Sequence, residues 1–167
     1  MPRLTIGLGA NLGDRWGALR NATDALRAWS VDGELRASHI WETEPQGPVL
    51  FQPWFWNACA ELDVADIEPA DAMALLLQIE RRLGRTRDLV QGPRTIDLDL
   101  LLWGERIICE PDLVVPHPRL CERAFVLAPL AELVGEVRRI PGDGRTVGEC
   151  LRALSGQTVR RLGPLTP

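Results

Sequence analysis

The sequence predicts an α+β fold, a mixed and chiefly antiparallel sheet with helices packed on it. Three observations carry that expectation. Several segments alternate apolar and polar residues with the period of a half-buried strand. Between them lie segments with apolar residues every three or four positions, as on a helix. Many of the strands are joined by short connections, which favours antiparallel neighbours over a doubly wound parallel sheet. The 167 residues are enough for one sizeable core and few for two, so a single domain over 1–167 is expected.

Leu4, Ile6 and Leu8 alternate with Thr5 and Gly7 and predict a first strand that ends at Gly9-Ala10-Asn11. Asp14 can cap a helix striped by Leu19, Ala22, Leu26 and Trp29. A second strand is expected from about Glu34 to Glu42, followed by a turn-rich loop, Thr43-Glu44-Pro45-Gln46-Gly47-Pro48. Trp54 to Leu62 predicts a third strand, with Ala58, Ala60 and Leu62 on one face and Asn57, Cys59 and Glu61 on the other. Pro69 to Leu83 has the clearest helical signature, with proline in its first turn and Gly84 as its stop. After an arginine-bearing loop come a strand over Thr95–Leu102, a short strand at Arg106–Ile108, a Pro116-His117-Pro118 turn and a helix near Leu120–Leu133. Thr146 and Glu149 have capping-box spacing for a last short helix.

Composition narrows the classes. Hydrophobic residues at 46% and charged residues at 25% match an ordinary globular protein and exclude wholesale disorder. A net charge of -4 argues against a general nucleic-acid binder while leaving room for a local basic patch. Cys59, Cys109, Cys121 and Cys150 form no C-x-x-C pair, and two histidines are few to help them, so zinc is not expected. No apolar run approaches bilayer length and Met1 leads into no signal-peptide pattern, so no membrane association is expected and the cytoplasm, with reduced cysteines, is the expected compartment.

The segment Gln91-Gly92-Pro93-Arg94-Thr95-Ile96-Asp97-Leu98-Asp99-Leu100-Leu101 sets two acids in an apolar strand. Residues two apart share a strand face, so Asp97 and Asp99 are neighbours roughly 7 Å apart at Cα. Two ionised carboxylates so close repel unless a cation neutralises them, and oxygen ligands with phosphate and water suit Mg²⁺. A solvated face paired with arginines explains the same pattern. Its company favours a phosphate site: Arg94 precedes the acids, Arg85 and Arg87 follow the helix stop, and Arg119 and Arg123 follow His117.

With further segments, the pattern acquires a family. Gly92 to Leu101, Gly9-Ala10-Asn11-Leu12-Gly13, Thr43 to Pro48 with Gln52-Pro53 and Phe55-Trp56-Asn57-Ala58, Ile79-Glu80, Gly84-Arg85-Thr86-Arg87, Val115 to Arg119, Arg123 to Val126 and Pro129-Leu130 stand in order. The chain resembles, over Leu4 to Leu133, the 6-hydroxymethyl-7,8-dihydropterin pyrophosphokinase family. The resemblance implies a ferredoxin-like core with mobile loops and transfer of pyrophosphate from ATP to the pterin hydroxymethyl, giving AMP in folate biosynthesis. It implies two Mg²⁺ ions held by Asp97 and Asp99, ATP as co-substrate, and a monomer acting on small molecules with no nucleic acid or membrane partner. By the same resemblance Arg85, Arg94, Asp97 and Asp99 are catalytic. Glu80, Arg87, Arg94, Ile96, His117 and Arg123 face ATP, and Thr43, Gln46, Phe55, Asn57, Asp97 and Phe125 face the pterin.

There are departures. Asp88-Leu89-Val90-Gln91 is shorter than some relatives' lid loop, with Gln91 where they have tryptophan; Cys121 stands where many have a second histidine, Ala10 where they often have serine, and Gln46 where some have leucine. Two rival classes remain at this point, a metal-dependent nucleotidyltransferase and a non-catalytic ferredoxin-like binding module. Beyond Gly135 the sequence suggests no site, and Arg138, Arg139, Arg160 and Arg161 read as surface charges.

Overall fold

Leu4, Ile6, Leu8 and Ala10 all lie buried on one face of β1 (Arg3–Ala10), as their alternation requires. A computed structural model describes residues 1–45, 47–49, 51–84 and 95–165. After β1 come α1 (Arg15–Arg27), β2 (Arg36–Ala37), β3 (His39–Thr43), β4 (Phe55–Asp63), α2 (Pro69–Arg82) and β5 (Asp97–Trp103). Then follow β6 (Ile108–Glu110), β7 (Leu113–Val115), a 3-10 turn (Leu120–Glu122), α3 (Ala124–Val134), α4 (Val147–Arg152) and β8 (Val159–Pro164). The main sheet runs β5-β1-β4-β3-β8, all antiparallel, with β2 also paired to β4. The β1-α1-β3-β4-α2-β5 succession with β1 and β4 central is the expected ferredoxin-like α+β arrangement.

The sheet separates two cores. On one face β1, Ala58, Ala60, Leu62, Leu98 and Leu100 pack against Leu19, Ala22 and Leu26 of α1 and Leu76 and Ile79 of α2. On the other, Cys59, Leu101 and Leu102 meet Val126, Leu127 and Leu130 of α3 and Val147 and Cys150 of α4. Burying each large aliphatic contributes about 1.5–3 kcal/mol, so the two layers hold the strands in register from both sides.

Caps form where local sequence predicted them. The Asp14 carboxylate accepts from Gly17 N at 2.9 Å, and Thr146 and Glu149 make both bonds of a capping box. Gly84, just past α2, has φ +80°, a conformation open to glycine at little cost.

Elsewhere the structure corrects the reading. The strand expected over Glu34–Glu42 is broken at Ser38, whose hydroxyl accepts from Cys59 N at 2.9 Å while its own N–H donates to Cys59 O. A side chain thus replaces a carbonyl in the ladder and divides β2 from β3. The face assignment along β5 also fails at its end: the register with β1 shifts between Thr5 and Ile6, and Leu101 and Leu102 both turn to the α3 core while Trp103 returns to the other. One inserted residue reverses the alternation, as a β-bulge does. The expected Arg106–Ile108 strand lies at Ile108–Glu110, paired with β7, and the expected helix near Leu120 starts as α-helix only at Ala124 because Arg123 is extended, φ −125°. β8 was not anticipated; two adjacent arginines, a glycine and a proline obscure its alternation, as on many edge strands.

Candidate active site

The floor of the site is a bare strip of β1. Gly9 stands in register between Asn57 of β4 and Asp97 of β5, and Gly7 between Cys59 and Asp99. With no side chains on these glycines, the amide of Asn57 and the two carboxylates face a common cavity of about 500 Å³. A Cβ added to Gly9 would lie 2.8 Å from Asn57 Oδ1, so the close approach requires glycine. The cavity is large enough for a drug-sized ligand.

Its lining combines aromatic rings with a fixed amide. Asn57 Nδ2 donates to Thr43 Oγ1 at 2.7 Å, and both residues are buried. An amide on a strand needs a partner, and Thr43 at the end of β3 supplies it. Phe55 and Phe125 line the same space. An amide beside aromatic rings suits a planar heterocycle with donor and acceptor edges.

The same lining carries charge. Asp97 and Asp99 are partly exposed on β5, and Arg123 Nη1 lies 3.5 Å from Asp99 Oδ2 with its guanidinium 5.6 Å from the Phe125 ring centre. This pair is an all-oxygen donor set on a rigid strand, and it fits a hard divalent cation better than a soft one. His117 is tethered by its own N–H to Leu101 O at 2.9 Å, while its Nδ1 accepts from Arg119 N at 3.1 Å. Burial, then the charges of Arg123 and Arg119, push the His117 pKa down to about 4, against the opposing pull of Asp97. The ring is therefore neutral near pH 7 with its proton on Nε2, a donor suited to an anionic oxygen.

Behind the site, Glu80 of α2 is only 2% exposed and accepts from Leu98 N at 2.7 Å. Glu80, expected to face ATP, is thus buried outside the cavity lining, where it ties down the edge-strand residue lying between the two aspartates. The side chain of Ile96 is wholly in the core, so only its backbone can meet a ligand. The expected site residues Gln46, Arg85, Arg87 and Arg94, and the 88–91 loop, lie outside the described residues.

Gln157 was missed, and it corrects the view that nothing beyond Gly135 reaches a site. It lines the cavity, accepts from Ala124 N at 2.9 Å and donates to Glu122 O at 2.9 Å, joining the turn to the start of α3. No local pattern marks such a glutamine. The C-terminal arginines are also more than loose charges. Arg160 pairs with Glu42 at 2.5 Å, Arg161 with Glu132 at 3.5 Å, and Arg138 with Glu105 and with Gly104 O at 2.8 Å.

The family model of 7,8-dihydro-6-hydroxymethylpterin-pyrophosphokinase matches residues 5–135, which span the floor, the paired acids, His117 and Phe125. The chain belongs to this family. It is 42% identical over 147 residues to the 2-amino-4-hydroxy-6-hydroxymethyldihydropteridine pyrophosphokinase of Bacillus subtilis (strain 168), covering 88% of this chain and 87% of that one. The enzyme of the same name from Pseudomonas aeruginosa is 40% identical over 160 residues, 96% of each chain. Among solved structures, the Plasmodium falciparum HPPK-DHPS A437G protein with STZ-DHP superposes with a TM-score of 0.74 at 11% identity, over 93% of this chain and 46% of that one. At that identity the likeness speaks for the fold, and this pyrophosphokinase family member spans less than half of the longer chain. Among the described residues no helix is long and apolar enough to cross a membrane.

Proposed function

We infer that the cavity over β1 is where this pyrophosphokinase family member moves a pyrophosphoryl group from ATP to the hydroxymethyl group of 6-hydroxymethyl-7,8-dihydropterin, releasing AMP. The observation that carries the reading is that Asp97 and Asp99 open onto the same space as Asn57, Phe55 and Phe125. Thr43 orients the Asn57 amide toward the heterocycle, and the two phenylalanines hold its faces. Arg123 and the Nε2–H of neutral His117 meet the triphosphate from the other side, and Arg119 adds charge. Asp97 and Asp99 would hold magnesium, two ions in the family's pattern, which when bound supplies charge neutralisation and acidifies the attacking hydroxyl. Transfer of this kind asks little covalent chemistry of side chains, so rigid positioning on β5, tied by Glu80, is the chain's main contribution. Action as a monomer in the cytoplasm on these small molecules belongs to the same reading.

The test is nucleotide product analysis after incubation with Mg-ATP and the pterin, with Asp97→Asn and Asp99→Asn alongside. AMP formed only with pterin and magnesium, and reduced by at least about a hundredfold in both variants, is expected. ADP or free pyrophosphate as product would overturn the reading.

A further inference from the structure

Outside the reading above lies a pair of thiols that the sequence separates and the fold joins. Cys121 Sγ and Cys150 Sγ, 29 positions apart in the chain, are 2.7 Å from each other, and both are free cysteines. Cys150 is buried in α4; Cys121 is partly exposed in the turn between Arg119 and Arg123. Asp143 Oδ2 lies 3.9 Å from Cys121 Sγ, and Arg145 grips that carboxylate through Nε at 2.6 Å and Nη2 at 2.8 Å.

Cys121, Asp143 and Cys150 are close enough together to suggest a metal site, so two chemistries compete. A tetrahedral zinc ion with bonds of about 2.3 Å holds its sulfurs roughly 3.8 Å apart, and a disulfide holds them at about 2.05 Å. The observed separation is nearer the second. A cation would also have to displace or sit beside the Arg145 guanidinium, which already holds the Asp143 carboxylate. We propose that Cys121 and Cys150 are a dithiol that closes reversibly to a disulfide, fastening the Leu120–Glu122 turn, and with it Arg119 and Arg123, to α4.

The oxidant is a small-molecule disulfide such as glutathione disulfide. The accessible Cys121 thiolate attacks it, forming a mixed disulfide and releasing one glutathione thiolate. Cys150 then gives up its proton, attacks Cys121 Sγ and expels the second glutathione thiolate. Two protein thiols are oxidised, one disulfide is reduced to two thiols, and the protons pass to solvent or to the leaving thiolates. Burial first, then the bond to Cys150 and its charge with that of Asp143, push the Cys121 thiol up to about 12, with Arg145 opposing. Exchange is therefore slow at neutral pH and quickens as pH rises, the behaviour of a latch rather than of a rapid peroxide sensor.

The experiment treats the reduced full chain with glutathione disulfide at mildly alkaline pH and maps its peptides without reduction. The expected result is a peptide pair linked through Cys121 and Cys150, reversed by dithiothreitol and absent from Cys121→Ser, while exposed Cys109 carries glutathione. Glutathione on Cys109 with no linked pair would overturn the proposal. So would zinc bound stoichiometrically by the reduced chain and lost in Cys121→Ser. The effect on catalysis rests on the active-site reading: the KM for ATP should change at least about threefold on oxidation and recover on reduction. A linked pair with an unchanged KM would overturn the coupling. Should no AMP form in either state, the active-site reading fails while the peptide map still decides the disulfide.

Discussion

Gly9→Ala tests whether the bare strip of β1 is what shapes the pterin end of the cavity. The new methyl would stand 2.8 Å from Asn57 Oδ1 and 3.9 Å from its Cγ, and Asn57 is only 5% exposed, with little room to retreat. Gly9 does not have a positive φ, so strain of the backbone is not at issue. Turning the amide away sacrifices its bond to Thr43, about 1 kcal/mol, and holds the side chain off its rotamer at about another 1 kcal/mol. Against this, replacing a strand glycine by alanine gains about 0.5–1 kcal/mol in chain entropy. The net loss is about 1 kcal/mol, a fall of about 2–4 °C in Tm for a chain of this size. Function should suffer more, because the displaced amide belongs to the proposed pterin contact: the KM for pterin rises about tenfold while the KM for ATP holds. Gly7→Ala is the milder companion, since its methyl would meet three atoms of the buried Leu101 side chain at 3.3 to 3.5 Å and leave Asn57 in place, so the pterin KM should move less. Thermal melting and steady-state AMP formation read both variants. A Gly9→Ala protein that melts higher than the parent and keeps its pterin KM would refute the reasoning, for then only the entropy gain would have acted.

Three more outcomes follow from buried and half-buried polar groups. Glu80→Ala leaves Leu98 N–H without its acceptor and should cost about 1–3 kcal/mol by urea denaturation, whereas Glu80→Gln, which still offers an oxygen, should cost less than half as much. Ser38→Ala strands the N–H of Cys59, which is wholly buried, and should cost a similar 1–3 kcal/mol in the same assay. His117 binds its proton in the unfolded chain near pH 6.5 and in the folded chain only near 4, so the unfolded state gains protons first as pH falls. Stability should therefore decline between about pH 6.5 and 4, by at most about 3 kcal/mol and less for the water the ring still meets, and His117→Asn should flatten the decline in urea midpoints measured across that window.

What could be read in the chain before folding was whatever a few adjacent residues decide among themselves. Asp14 caps Gly17 three residues on, Thr146 and Glu149 satisfy each other, and the alternation of Leu4, Ile6 and Leu8 needs no knowledge of the strands beside it. The D-x-D pair was legible for the same reason, since strand geometry alone puts both acids on one face. Ser38, Leu101, Glu80 and Gln157 were not legible in this way, because the role of each depends on a group brought near by the rest of the fold. Ser38 became a strand breaker through Cys59, 21 residues away, and Gln157 reached the cavity through Ala124, 33 residues away. Glu80 shows the limit most clearly. Helix periodicity sets it beside the apolar stripe of α2, where a surface carboxylate and a buried acceptor look alike. The choice falls to β5, which as the outermost strand leaves the N–H of Leu98 beyond the reach of β1's ladder and presents it to the helix. An acid that a propensity argument would leave in water is thus drawn beneath the strand. It steadies there the two other acids, Asp97 and Asp99, on which the proposed chemistry rests.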